Sequence, residues 1–136
     1  MDKLLTIIVP SYNMERYLPR CLDSLVIDDK ELFEKLDVIV VNDGSKDRTS
    51  EIAHKFEAKY PDVFCVIDKP NGHYGSCINA GIARAKGTYI RTLDADDLYD
   101  TKEFQNYLCA LEAIVRNGAD VDLILNDYVC VLANGE

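Results

Sequence analysis

Basic residues are scarce in this chain: 15 Lys and Arg stand against 24 Asp and Glu, a formal net charge of -9 over 136 residues. That balance argues against nucleic acid or an anionic membrane surface as partner, since both call for basic patches. It also leaves no surface-wide attraction for a phosphate ligand, so a locally bound metal is the natural device for holding one. Long apolar runs are lacking too, and none approaches the roughly 20 residues of a membrane span. Met1-Asp2-Lys3 leads straight into a strand pattern and leaves no room for a signal peptide. No Cys-x-x-Cys occurs among the five cysteines, Cys21, Cys65, Cys77, Cys109 and Cys130. An odd count in apolar contexts fits reduced, buried thiols in a cytoplasmic protein, with Cys77 a small packing residue. Attachment at the inner face of a membrane would have to come from regions outside this chain. Both glycine-rich phosphate cradles, G-x-G-x-x-G after the first strand and G-x-x-x-x-G-K-[ST], are missing.

What is present is a globular composition, 48% apolar and 29% charged, long enough for one domain with a real core. The chain alternates strand and helix patterns without repeats or low-complexity linkers. Leu4 to Val9 is a continuous apolar run stopped by Pro10, as in a strand buried on both faces. A helix is expected from Met14 to Val26 and a second strand from Leu36 to Val41. Ser45 or Asp47 can cap a helix running to about Tyr60. Val63 to Ile67 reads as a strand and Tyr74 to Ala85 as a helix, with Gly87 suited to a left-handed C-cap. Thr88 to Leu93, Thr101 to Arg116 and Val121 to Leu132 read as strand, helix and strand. Such β-α alternation predicts an α/β fold, a mainly parallel sheet flanked by helices on both faces.

In such sheets, ligands sit beyond the carboxyl ends of the strands. Three chemically loaded segments fall there: Pro10-Ser11-Tyr12-Asn13, Asn42-Asp43-Gly44-Ser45 and Leu93-Asp94-Ala95-Asp96-Asp97. Asp94 and Asp96, two apart, project to one side if strand geometry continues. Carboxylates that close repel, and Mg²⁺ or Mn²⁺, which prefers oxygen ligands, removes the conflict. The alternative is a solvated acidic turn capping the next helix. Asp43 can accept hydrogen bonds from a ribose or from the imide N–H of a uracil, or serve as an Asx-turn or helix cap.

Thr6 to Asn13, Val40 to Asp47, Asn79-Ala80-Gly81-Ile82, Gly87 to Ile90 and Leu93 to Asp97 together resemble family 2 glycosyltransferases. These are inverting, GT-A-fold enzymes that use nucleotide-diphosphate sugars. The resemblance spans essentially the whole chain, so 1–136 is read as one nucleotide-sugar-binding domain. It implies that Pro10, Tyr12 and Asn13 line the nucleotide pocket, with Tyr12 against the base. Asp43 would bind base or ribose, Asp94 the ribose or diphosphate, and Asp96 the metal. Asp97 is assigned to capping or orienting the next turn, and Asn79 and Gly81 to packing α-helix near the pocket.

Two departures stand out. Ile78 replaces the arginine usual before the asparagine, which removes a cationic contact; Lys69 or Arg84 are the candidates to compensate. The loop from Asn71 to Cys77 differs from the family's small-residue loop, and its His73 reads either as a phosphate contact or as a solvated histidine. His54 is expected at the surface. No catalytic base is recognisable: Asp127 and Glu136 are the only carboxylates near the end, and neither sits in a base motif. The chain is therefore expected to be the donor-binding half of a longer enzyme, with the base beyond Glu136 and a saccharide or lipid-linked acceptor bound elsewhere. The competing readings are a donor-binding module without transferase activity, a metal-dependent nucleotidyltransferase and a receiver-type signalling domain. The nucleotidyltransferase lacks its glycine- and lysine-rich early loop; the receiver lacks its acidic pair after the first strand.

Overall fold

The computed structural model describes residues 2–125. Its sheet is built from β1 (Lys3–Ser11), β2 (Leu36–Asp43), β3 (Phe64–Lys69) and β4 (Gly87–Thr92), in the order β3-β2-β1-β4. Every pairing is parallel. The helices are α1 (Leu18–Asp23), α2 (Lys30–Phe33), α3 (Thr49–Lys59), α4 (His73–Arg84) and α5 (Thr101–Arg116). The expected α/β sheet with helices on both faces is present.

Side-chain alternation along the central strands explains the two layers. Ile7, Val9, Val38 and Val40 point to one face, where they pack with residues of α1, α2, α3 and α5 such as Leu22, Phe33, Ala53 and Leu108. Ile8, Ile39 and Val41 point to the other face, against Cys77, Ile78 and Ala80 of α4. Fully burying a side chain of this size stabilises by about 1.5–3 kcal/mol. β1 and β2 carry apolar residues on both faces because both faces are covered, and the polar Thr6 and Asp37 within them are paired by a hydrogen bond of 2.7 Å. The strand order turns around at β1: the chain moves outward through β2 and β3, then returns to place β4 on β1's other side. Such a switch opens a crevice between the carboxyl ends of β1 and β4.

Several elements differ from the sequence expectation. The first helix is six residues, not Met14 to Val26. Pro19 lacks an N–H and is accommodated only in a first turn, so the helix starts there. Met14 to Tyr17 instead form a turn, with the Tyr17 and Leu18 amides donating to Met14 O. α2 is an unexpected single turn capped by Asp29, whose side chain accepts from the Leu32 amide. Four residues carry too little periodicity to be seen beforehand. Gly87 is not a left-handed cap; Ala85, extended, ends α4. Gly87 opens β4 because a Cβ there would fall onto the Thr6 amide nitrogen and Leu5 carbonyl carbon of β1. Residues 121–125 form no strand, and the rest of the expected fifth strand lies outside the described residues. Among the described residues, no helix is long and apolar enough to cross a membrane.

Candidate functional site

A cleft of about 500 Å³ lies at the carboxyl ends of β1 and β2 and beyond β4. Pro10, Ser11, Tyr12 and Met14 line it from the first strand, and Asp43 from the second. Asn71, His73, Tyr74 and Cys77 come from the α4 entrance, and Asp94, Ala95 and Asp96 from the segment after β4. Of the six residues expected at a ligand, Pro10, Tyr12, Asp43, Asp94 and Asp96 are brought together here. Asn13 is not among the lining residues. Its backbone is left-handed (φ 51), a conformation asparagine tolerates. Its amide donates to Ser45 Oγ at 3.0 Å, and its Oδ1 accepts from the Lys46 amide at 2.8 Å. Met14 N donates to Thr49 Oγ1 in the same way. Asn13 thus fastens the loop after β1 to the loop after β2.

Strand-like alternation continues past β4. Leu93 and Ala95 are buried, while Asp94, Asp96 and Asp97 are exposed. The three carboxylates each offer an oxygen within 4.8 Å of the others. An all-oxygen donor set of this density suits Mg²⁺ or Mn²⁺. Asp97 does not cap the next helix: Asp100 does, its side chain accepting from the Glu103 amide at 3.0 Å. The Asp97 amide donates to Asp94 O, which closes the turn that gathers the carboxylates. Some loss of hydration, then the charges of Asp96 and Asp94, push the Asp97 carboxyl above its ordinary value. The nearby Cys21 thiol is pushed up to about 12 by burial and by the same three carboxylates. Its side chain is fully buried, and the thiol donates to Asp94 O at 3.7 Å.

Asp43 is 3% exposed and heavily engaged. Its Oδ1 accepts from Lys69 Nζ at 2.9 Å and from the Gly72 amide at 2.8 Å; its Oδ2 accepts from the His73 amide at 2.9 Å. Burial raises its pKa, but the hydrogen bonds from Lys69, Gly72 and His73 together with the Lys69 charge outweigh that and hold it below the usual carboxylate value. His73 is left-handed (φ 72), and that backbone turns its amide onto Asp43. Gly44 is left-handed as well, and a Cβ there would lie 2.8 Å from Asn71 N.

Lys69 was a candidate for the missing cationic contact, and its geometry opposes that role. An ammonium has three N–H donors. Those of Lys69 reach Asp43 Oδ1, Pro70 O and Ser76 Oγ, the last two at 2.8 Å. Arg84 sits in the last turn of α4 and donates to Cys65 Sγ, away from the cleft-lining first turn. Ile78 packs into the core beneath α4. Gly81 does pack as expected, since a Cβ would come within 2.6 Å of Ile8 Cγ2; Asn79 is exposed. His54 is at the surface, held between Asp68 and Glu57. The sequence reading missed Tyr74 and the Lys69–Asp43 pair. The latter had a signal: β3 ends at Lys69, directly beside Asp43 in register.

The chain matches the family described as "Glycosyl transferase family 2" over residues 6–128. An uncharacterised glycosyltransferase of Mycoplasma pneumoniae, the MG025 homologue, is 41% identical over 132 residues, which cover 96% of this chain. The chain spans 41% of that relative's length. Among solved structures, S. aureus TarS 1–349 in complex with UDP-GlcNAc superposes with a TM-score of 0.69 at 27% identity, over 81% of this chain and 31% of that one. The mannosyltransferase PcManGT of Pyrobaculum calidifontis, in complex with GDP-Man and Mn²⁺, gives a TM-score of 0.64 at 25% identity, over 73% of this chain and 29% of that one. A match over most of the residues, on a parallel sheet whose strand ends form the cleft, makes this chain a member of glycosyl transferase family 2.

Proposed function

We propose that the chain is a single nucleotide-diphosphate-sugar-binding domain of a metal-dependent, inverting glycosyltransferase, with a UDP-sugar as donor. The observation that carries this reading is the convergence of Tyr12, Asp43, Asp94 and Asp96, from three separate strand ends, on one cleft. The size of that cleft is in the range of small-molecule sites. Solved relatives of the same fold hold UDP-GlcNAc, or GDP-Man with Mn²⁺.

In this reading Tyr12 packs against the base, with Pro10 shaping the wall behind it. Asp43, kept ionised by its donors, accepts a hydrogen bond from base or ribose. Asp94 orients the ribose or diphosphate. Asp96, with Asp94 and Asp97 alongside, holds Mg²⁺ or Mn²⁺; bound there, the ion supplies Lewis-acid stabilisation of the leaving diphosphate. The acceptor hydroxyl attacks the anomeric carbon in line, and a single displacement inverts its configuration. The carboxylate that takes the acceptor proton is not assigned among residues 2–125; Asp127 and Glu136 lie outside the described residues. The acceptor, a saccharide or a lipid-linked one, belongs to the whole enzyme.

Thermal unfolding with UDP, with and without Mn²⁺ and chelator, tests the donor site. A rise in melting temperature that needs both nucleotide and metal supports it. The same shift without metal contradicts the role given to Asp96. Retention of configuration in the product of the whole enzyme contradicts the single displacement.

A further inference from the structure

The donors around Asp43 leave little of it for a ligand. A carboxylate offers about four acceptor positions, two on each oxygen. Lys69 Nζ and the Gly72 amide occupy both positions on Oδ1, and the His73 amide occupies one on Oδ2. The Cys77 thiol also lies against Asp43. As a weak S–H donor it yields to a stronger one. One strong acceptor position, on Oδ2, is left on a residue that lines the cleft.

This single position distinguishes nucleobases. The uracil edge offers one imide N–H between two carbonyl acceptors. Guanine offers two parallel donors, a ring N–H and an amino group, which a carboxylate satisfies by giving both oxygens. With Oδ1 filled, the second guanine donor goes unpaired as it leaves water, and such a group is costly. We infer that Lys69 is a positioning residue that fills Asp43 Oδ1 and thereby makes the cleft select a one-donor base of the uracil type over guanine.

Two neighbouring features serve the same arrangement. Lys69 is fixed in place by Pro70 O and Ser76 Oγ, so its ammonium cannot swing away without losing two further bonds. Gly72 leaves room for it: a Cβ there would lie 2.9 Å from Lys69 Nζ and 2.7 Å from Ser76 Oγ. The inference rests on the reading of the cleft as a nucleotide-sugar site, and the test separates the two.

Calorimetric titration of UDP and of GDP, each with Mn²⁺, is carried out on the unaltered chain, on Lys69→Met and on Gly72→Ala. The second variant displaces the ammonium while keeping its charge. The unaltered chain is expected to favour UDP by about tenfold or more, the factor one unmade hydrogen bond is worth. Both variants are expected to narrow that preference to about threefold or less, by gaining GDP affinity relative to UDP. A preference unchanged in a variant that still binds UDP overturns the inference. So does equal binding of UDP and GDP by the unaltered chain, which leaves the donor-site reading standing. No metal-dependent nucleotide binding by the unaltered chain overturns the donor-site reading itself. Circular dichroism reports whether each variant is folded; should Lys69→Met unfold, Gly72→Ala decides, and should both, the preference of the unaltered chain does.

Discussion

Gly81 of α4 rests against Ile8 of β1 so closely that a Cβ would stand 2.6 Å from Ile8 Cγ2 and 2.8 Å from its Cγ1 and Cδ1. Ile8 is fully buried in the layer beneath α4, so its side chain has nowhere to retreat. Gly81→Ala is expected to destabilise by up to about 2 kcal/mol, since overpacking costs about 1–3 kcal/mol and helix propensity returns only about 1 kcal/mol. Gly75, in the same helix, meets nothing within 4 Å. Gly75→Ala should therefore stabilise, by about 0.5–1 kcal/mol. Urea unfolding of the two variants checks the contrast.

Asp43 is held by an ammonium and two backbone amides in a site it barely exposes. Asp43→Asn keeps the shape, removes the charge and places an amide donor against other donors. A loss of about 1–3 kcal/mol is expected. Because the folded-state pKa is lowered, the ionised group's contribution is present above the ordinary aspartate value of 3.8 and is lost as pH falls through the lower folded value. The stability gap between the two proteins should then be flat near neutral pH and close only in that acid range. A gap that closes at higher pH contradicts the assigned shift.

His54 gives the opposite sign. Its ring nitrogens face Asp68 Oδ2 at 2.6 Å and Glu57 Oε1 at 3.1 Å, and these hydrogen bonds raise its pKa above 6.5. Its contribution is therefore complete below 6.5 and disappears as pH rises through the folded value. The side chain is 45% exposed, so solvent screening keeps the effect small. Unfolding free energy measured from about pH 5.5 to about pH 8.5 should decline more steeply in the unaltered chain than in His54→Gln. Parallel curves would remove His54 as the cause.

The core strands were legible because burial on both faces writes itself as mostly apolar runs at Leu4 to Val9 and Leu36 to Val41, interrupted only by Thr6 and Asp37, which are buried and hydrogen-bonded to each other. Pro19 could have warned that the first helix begins late, but the spacing of Leu18, Cys21, Leu22 and Leu25 imitates a longer one. Gly87 was misread because a glycine after a helix usually signals a left-handed cap, whereas here the demand comes from a neighbouring strand far away in sequence. At the cleft, strand ends and side-chain type were enough to find Tyr12, Asp43, Asp94 and Asp96. The grip on Asp43 was not legible in the same way. Two of its donors are backbone amides, of Gly72 and of the left-handed His73, whose direction depends on backbone conformation rather than on side-chain identity. Asn13 lies on the expected loop and ties it to the loop after β2, and a polar residue beside a cleft and one tying two loops together look alike in sequence.

The central claim is that Asp96 brings a metal to a nucleotide held in this cleft. Calorimetric titration of UDP with Mn²⁺ into the unaltered chain and into Asp96→Ala tests it most directly. Metal-dependent binding in the unaltered chain that weakens by at least about tenfold in the variant, with the fold intact, is the predicted result. Equal Mn²⁺-dependent binding by both proteins would contradict it.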